Sequence, residues 1–352
     1  MKLLGQGTYN SVYLDKNGDA IRVAEITEPK ILENLLKAQA IVKLIYNTEM
    51  TPSIFKIIED GNVLDTLPPE FGIYNGKNKF FIQKIEYLPY EFENMTMDHL
   101  FFLLWFMSYT SSEFGFIHKD LKENNLLIRR YPFNTLFKFK LGDKTFKIKT
   151  DRIPVVMDFD LGSTTLDKSQ QTIGTSDYAP LETILGFLCG FEKKLNDFSY
   201  DFWSLGMTIV YSFNDRKKFF DSLNKDIVKA YLQYNLNKYE VKPEYLKYFT
   251  SLFKAVLKAS LIKYVLHGQS TGSNYLEMFD RFFTVENISY FRTITSTFKG
   301  KLNIPPEYTP FLKYLLSWDP TQRNLEGDPW RYLELFYPSV NDDFEADFTY
   351  ER

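Results

Sequence analysis

Three side chains suited to phosphate chemistry lie within six residues, in His118-Lys119-Asp120-Leu121-Lys122-Glu123-Asn124-Asn125. Asp120 is of the type that orients a hydroxyl nucleophile and accepts its proton as charge develops. Lys122, two residues on, can neutralise a transferring phosphoryl group. Asn125, five residues after Asp120, offers a hard oxygen ligand of the kind Mg2+ takes. His118 suits support of the loop better than chemistry. Gly115-Phe116-Ile117 precedes the stretch and Leu126-Leu127-Ile128 follows it. Apolar flanks of this kind tie a polar loop to a core, which a chance polar turn does not need.

Two further segments could complete such a site. Val155-Val156-Met157-Asp158-Phe159-Asp160-Leu161-Gly162 is an apolar strand ending in carboxylates, which would place one of them on the same metal. Asp158 keeps the apolar run directly before the ligand and leaves Leu161 in an apolar position. Asp160 keeps a glycine two residues after it. The first alignment is preferred, although it puts an acid where a flexible glycine is expected. Near the start, Gly5-Gln6-Gly7-Thr8-Tyr9-Asn10-Ser11-Val12 lies between two alternating segments. Glycines there let backbone N–H groups approach phosphate oxygens, although a third glycine is missing and a plain hairpin turn has the same composition.

These loops need elements to hold them. Residues 1–26 alternate as strands, with a turn at Lys16-Asn17-Gly18-Asp19, where Asn-Gly is a hairpin signal. Pro29 suits a first helical turn, and the run from Ile31 to Ile45 has apolar residues at three- and four-residue spacing. A second hairpin is expected around Asn75-Gly76. From Met97 onward helical periodicity dominates, so Leu88-Pro89 marks the passage from a small β-rich lobe to a larger helical one. Residues 129–154 interrupt the helices. There, Phe137 to Lys149 alternates about Gly142-Asp143 and predicts a β-hairpin with a Lys-rich face. That face reads as a solvated edge that resists aggregation, or as a docking surface for an acidic partner. The acidic last residues read as an ordinary frayed terminus.

Composition narrows the classes. At 352 residues and 44% hydrophobic content, the chain can bury a sizeable core as one large domain or two lobes. A net charge of −3 gives no global attraction to nucleic acid or an anionic membrane. One cysteine excludes a disulfide framework and a cysteine-rich zinc site, and points to a reducing, intracellular setting. The start is not a signal peptide, and the apolar run 100–107 is too short to span a bilayer. The wealth of Phe, Tyr, Lys and Asn is the bias of an AT-rich genome, such as that of a large DNA virus or a parasite; a viral source would make virion association an alternative to the cytoplasm.

Across nearly its whole length the chain resembles the eukaryotic protein kinase family. Gly174-Thr175-Ser176-Asp177-Tyr178-Ala179-Pro180-Leu181-Glu182 resembles the end of that family's activation segment. Asp201-Phe202-Trp203-Ser204-Leu205-Gly206 resembles the buried helix whose Asp holds the catalytic loop. Trp318-Asp319-Pro320-Thr321-Gln322-Arg323 resembles the late segment whose Arg pairs with the activation-segment Glu, here Glu182.

The resemblance implies an α+β, bilobal kinase-like fold. It comprises an N-lobe over 1–87 that binds nucleotide, a catalytic C-lobe over 88–337 with the hairpin insert, and an acidic tail over 338–352. It implies ATP with Mg2+ or Mn2+, and a protein substrate phosphorylated on Ser or Thr, because Lys122 and Thr175 match the Ser/Thr enzymes. Asp120 and Lys122 would be catalytic, and Asn125 and Asp158 would hold metal. Gly5, Gln6, Gly7 and Val12 would cover the phosphates. Ala20, Ile85 and the hinge Glu86-Tyr87-Leu88 would enclose adenine.

Departures from the pattern cluster near the start. Arg22 stands where a lysine grips the α- and β-phosphates, a swap that is not conservative. The helix glutamate that should pair with it falls at Gln39 by spacing, and the nearest helical carboxylate is Glu33. Lys119 replaces an arginine that often receives an activation-loop phosphate. Ser163, Thr164, Thr165, Ser169 and Thr172 are modification candidates that read more simply as solvated loop residues. The Phe344-to-Tyr350 tail resembles a hydrophobic tail motif with spacing one residue too long, a coincidence. These departures support one alternative, a pseudokinase scaffold that binds partners without efficient catalysis.

Overall fold

A computed structural model describes residues 1–6, 10–71, 78–164, 174–190, 198–215, 223–267, 281–298, 301–323, 325–338 and 345–352. The chain begins as strands β1 (Lys2–Gln6), β2 (Asn10–Leu14) and β3 (Ala20–Ile26). The turn between β2 and β3 is the one expected: Gly18 has φ 88°, and the Asp15 carboxylate accepts the Asn17 and Asp19 N–H groups at 2.7 and 2.9 Å. With β4 (Ile57–Leu64) and β5 (Lys79–Ile85) they form an antiparallel sheet in the order β1-β2-β3-β5-β4. The hairpin expected around Asn75-Gly76 lies outside the described residues. Described residues instead pair β5 with β3 and β4, and Pro69–Phe71 is a 3-10 turn.

Helix α1 (Pro29–Tyr46) lies on this sheet, with Pro29 opening its first turn. Its buried stripe is Leu35, Ala38, Val42 and Ile45, the i, i+3, i+4 spacing of an amphipathic helix. Leu35 meets Ala24 of β3 and Phe81 of β5, while the later three join the main core.

The second region is mostly helical. Helix α2 (Met97–Phe114) starts at Thr96, whose side chain accepts the His99 N–H at 3.1 Å, and stops at Gly115 in the left-handed region. Every residue from His99 to Ser111 is buried, so α2 is a central core helix. No described helix is long and apolar enough to cross a membrane. After β6 (Tyr90–Glu91) and β7 (Phe116–Ile117) come β8 (Leu126–Leu141) and β9 (Lys144–Val156). These two form the expected hairpin, turning at Gly142 with φ 59°. Phe137, Phe139 and Phe146 face inward onto Phe101, Phe102 and Trp105 of α2, with ring centroids 4.8–5.4 Å apart. The alternating lysines therefore mark the outward face.

The C-terminal residues are not frayed. Strand β11 (Phe348–Glu351) adds to β8 in parallel, so that Phe348 stacks on Phe137 and Tyr350 on Phe139 at 5.4 and 5.0 Å. Glu351 pairs with Lys140, and Arg352 with Glu113. The acidic tail is thus an intramolecular complement of the lysine-bearing strand. Phe344 lies outside the described residues.

The remaining described strands and α-helices are β10 (Ser163–Thr164), α3 (Leu181–Cys189), α4 (Ser199–Phe213), α5 (Lys225–Lys238), α6 (Leu246–His267), α7 (Val285–Thr297), α8 (Thr309–Leu315) and α9 (Pro320–Arg323).

Candidate active site

The base of the β8–β9 hairpin brings two loops together. Leu126 pairs with Val156, so the loop ending at Asn125 and the loop starting at Met157 leave the sheet side by side. The Met157 N–H donates to the Asn125 carbonyl at 2.8 Å, and the His118 ring bonds the Met157 carbonyl at 2.8 Å. Separation in sequence is overcome here by one antiparallel register.

Asp201, in the first turn of α4, is buried and accepts the N–H groups of His118 and Lys119 at 2.6 and 2.8 Å. Burial pushes its carboxyl pKa up, and these amide bonds oppose that. Lys119 is held at φ 66°, a strained conformation for a side-chain-bearing residue that persists because the backbone is fixed on both sides.

Asp120 sits at the centre of a saturated network. Its Oδ1 accepts the Thr175 N–H and hydroxyl at 2.9 and 2.8 Å, and its Oδ2 accepts Lys122 Nζ and Asn125 Nδ2 at 2.7 and 2.9 Å. Lys122 Nζ also reaches Thr175 Oγ1 at 2.7 Å. Burial acts to raise the Asp120 pKa, but the Lys122 and Thr175 contacts outweigh it and hold the carboxyl below its usual value. The approach of Thr175 requires Gly174: a Cβ there would fall 2.2 Å from the Lys119 carbonyl. With its Nδ2 on Asp120, Asn125 keeps its side-chain oxygen for another partner, the donor a hard cation would take.

In the neighbouring loop Asp158 adopts φ 59° and Phe159 is buried, 5.1 Å from the His118 ring and stacked on Phe116 at 5.5 Å. Burial, and after it the Asp160 charge, push the Asp158 pKa up, against Arg22. The close approach that needs glycine occurs at Gly162, where a Cβ would meet Phe116 at 2.6 Å. The half-exposed Asp158 carboxylate, in the loop beside Asn125, is of the type that suits a divalent cation.

Arg22 projects from β3 into this region and bonds the Asp160 carboxylate, with Asp158 3.8 Å away. Neither expected helix partner reaches it. Glu33 is exposed and pairs with Lys30 at 3.0 Å, because it lies on the helix face opposite the buried stripe. Gln39 accepts the Gly61 N–H and the Gln83 side-chain amide at 2.6 and 2.8 Å. The helix register thus turns both residues to other work.

Strand pairing brings together some of the residues expected to enclose adenine. Ala20 lies opposite Ile85, both are buried in one cluster with Leu88, and Val12 packs against it. Gly5 pairs with Val12 across the β1–β2 turn, while Gly7 lies outside the described residues. Gln6 pairs with Ser11 in the same ladder. Glu86 has a structural task besides any backbone role: Arg129 grips its carboxylate at 2.7 and 3.1 Å, and also bonds the Pro52 and Ile54 carbonyls. Sequence reasoning missed Arg129; as one of two arginines at a strand end it carried no local signal.

The activation-segment end is pinned from three sides. Arg323 of α9 is fully buried against Glu182 and also bonds the Ser317 and Ser199 carbonyls. The Ser204 hydroxyl donates to the Tyr178 carbonyl at 2.9 Å, and Tyr178 bonds Glu123. Helix α6 adds Lys258 to Asp177 at 2.6 Å and Ser251 to Ser176 at 2.8 Å. Ser163 is not a solvated loop hydroxyl: it is buried in β10, which pairs with β7. Thr164 is half-buried beside it, while Thr165, Ser169 and Thr172 lie outside the described residues.

A family model described as the protein kinase domain matches residues 103–325. No curated protein matches the chain. A solved crystal structure of a kinase domain superposes with a TM-score of 0.51 at 17% identity, covering 96% of this chain and 94% of that one, which shows a shared fold. The family match takes in both loops of the site and the Glu182–Arg323 pair, and it starts after the β1–β5 sheet. The chain belongs to the protein kinase family.

Proposed function

We propose that this chain is an active protein kinase that transfers the ATP γ-phosphoryl group to Ser or Thr hydroxyls of protein substrates. The observation that carries the reading is the Asp120–Lys122–Thr175 network. Asp120, kept ionised by its neighbours, orients the substrate hydroxyl and takes its proton. Lys122 stands beside it to offset the charge of the moving phosphoryl group. Thr175 fixes both, which is the basis for assigning Ser/Thr preference. Asn125 and Asp158 would hold Mg2+ or Mn2+, which when bound neutralises phosphate charge. Residues 1–87 act as the nucleotide lobe, with Gly5 to Val12 over the phosphates and Ala20, Ile85 and Leu88 against adenine.

The test is transfer of radiolabel from ATP to a generic protein substrate. Asp120→Asn should lower kcat by about a thousandfold, within the range for loss of a general base. Equal signal from wild type and variant would refute catalysis. The second reading, a pseudokinase scaffold, draws on the Arg22–Asp160 pairing and the absence of a helix carboxylate beside Arg22 among the described residues. A thermal-shift titration separates the two at the binding step: ligand that binds only the folded state raises Tm. No shift at millimolar ATP with Mg2+ would favour the scaffold.

A further inference from the structure

Arg22 is largely buried, with 12% of its side chain exposed, and a buried cation needs a partner. In the pattern this chain resembles, that partner comes from the helix on the sheet. Here α1 carries one acidic residue, Glu33, and it points to solvent. On the inner side the space is filled by a neutral pair. Gln83 lies directly opposite Arg22 across the β3–β5 ladder, so both side chains leave the same sheet face. The Gln83 amide is taken up by Gln39 of α1, not by Arg22.

The carboxylate that Arg22 does meet belongs to Asp160, on the metal loop. The other Asp160 oxygen is buried with no hydrogen-bond partner among the described residues. Asp160 stands where the preferred alignment expects glycine. The two departures, Arg for Lys and Asp for Gly, therefore contact each other.

We propose that Asp160 is the positioning residue that aims Arg22 at the nucleotide phosphates, so that the ion pair usually made with the helix has moved onto the metal loop. This rests on the kinase reading above. Arginine suits the arrangement better than lysine. Its planar fork has five donors on separate edges, so one nitrogen can hold Asp160 while the others bond phosphate oxygens. Lysine would present one compact ammonium to both partners. Arg22 also offsets one of two acids two residues apart, which leaves Asp158 for the cation. The alignment of Arg22 then no longer depends on where α1 sits.

The experiment measures equilibrium binding of ATP and of adenosine to the full chain, each with Mg2+ and in EDTA. Wild type, Asp160→Gly, Asp160→Asn, Asp160→Glu, Arg22→Lys, Gln39→Ala and the Arg22→Lys/Asp160→Gly double variant are compared. Asp160→Gly and Asp160→Asn should each weaken ATP by about tenfold, equivalent to about 1.4 kcal/mol. Adenosine binding should stay unchanged, which also shows that the variants are folded. The loss should persist in EDTA, Asp160→Glu should recover most of it, and Gln39→Ala should leave ATP binding unchanged. The double variant should be no weaker than Arg22→Lys alone, since both changes remove one interaction. Unchanged or tighter ATP binding by Asp160→Gly would overturn the proposal, as would a loss seen only with Mg2+, which would make Asp160 a metal ligand alone. Wild type that binds neither ATP nor adenosine would instead overturn the kinase reading itself.

Discussion

The two halves of the site are held in different ways. Around Asp120 each carboxylate oxygen has two partners, and those partners are fixed by Asp201, Gly174 and the Glu182–Arg323 pair. Around Arg22 one carboxylate contact holds the guanidinium, with Asp158 nearby, and the helix contributes none. The first half carries the residues that would do bond-making and bond-breaking, where an error of an ångström is costly. The second would grip phosphates, a task that depends on the aim of one cation. A kinase fold can therefore relocate the ion pair of the second half while the first keeps its pattern.

Loss of Asp120 chemistry, tested above by Asp120→Asn, would be the largest effect of all. Next comes the buried support. Arg323→Met removes the fully buried cation that faces the Glu182 carboxylate, and should cost about 3–5 kcal/mol in denaturant unfolding. A cost below about 1 kcal/mol would show that the catalytic half is not braced from α9, and the contrast between the halves would fall. Tyr350→Ala removes a largely buried ring stacked on Phe139 and should lower stability by about 3 kcal/mol. The affinity for ATP should not change, since the tail strand supports the hairpin behind the loops.

Thr175→Ala sharpens the comparison most directly. One charge-assisted bond to Asp120 is lost, so kcat should fall by about 10- to 100-fold with little change in KM for ATP. Thr175→Ser should restore most of it. The sign of the accompanying pH effect is fixed by the direction of the Asp120 shift. Thr175 helps hold that carboxyl below its usual value, so its removal moves the pKa up and the acidic limb of the rate profile to higher pH. A limb that stays in place, or moves to lower pH, would break the link between Thr175 and Asp120.

Legibility followed the range of the interactions. The eight residues from His118 to Asn125 form a local unit, so spacing alone conveyed their order, and the hairpin turn at Gly142 was readable from alternation. Arg22 is recognisable as a departure, but its partner is not: spacing along the chain points to Gln39, and Glu33 is the nearest helical carboxylate. A helix meets its sheet through one face, and Glu33 lies off that face while Gln39 meets Gln83. Arg129 and Lys258 were missed because each contacts residues distant in sequence, and isolated basic residues are usually solvated. The tail looked frayed because acidic composition says nothing about the open edge of β8 waiting beside it.

The amino-acid sequence by itself determined the order of the loops, the strand and helix periods, and the residue types at Asp120, Lys122 and Asn125. These depend on chemistry and on contacts a few residues apart. Tertiary structure alone decided that Asp160 would meet Arg22, that α6 would brace the activation-segment end, and that the last strand would close the hairpin edge. Those outcomes depend on how faces and edges of separate elements pack, and a choice between two nearby acids, Asp158 and Asp160, turns on less than one helical turn of chain.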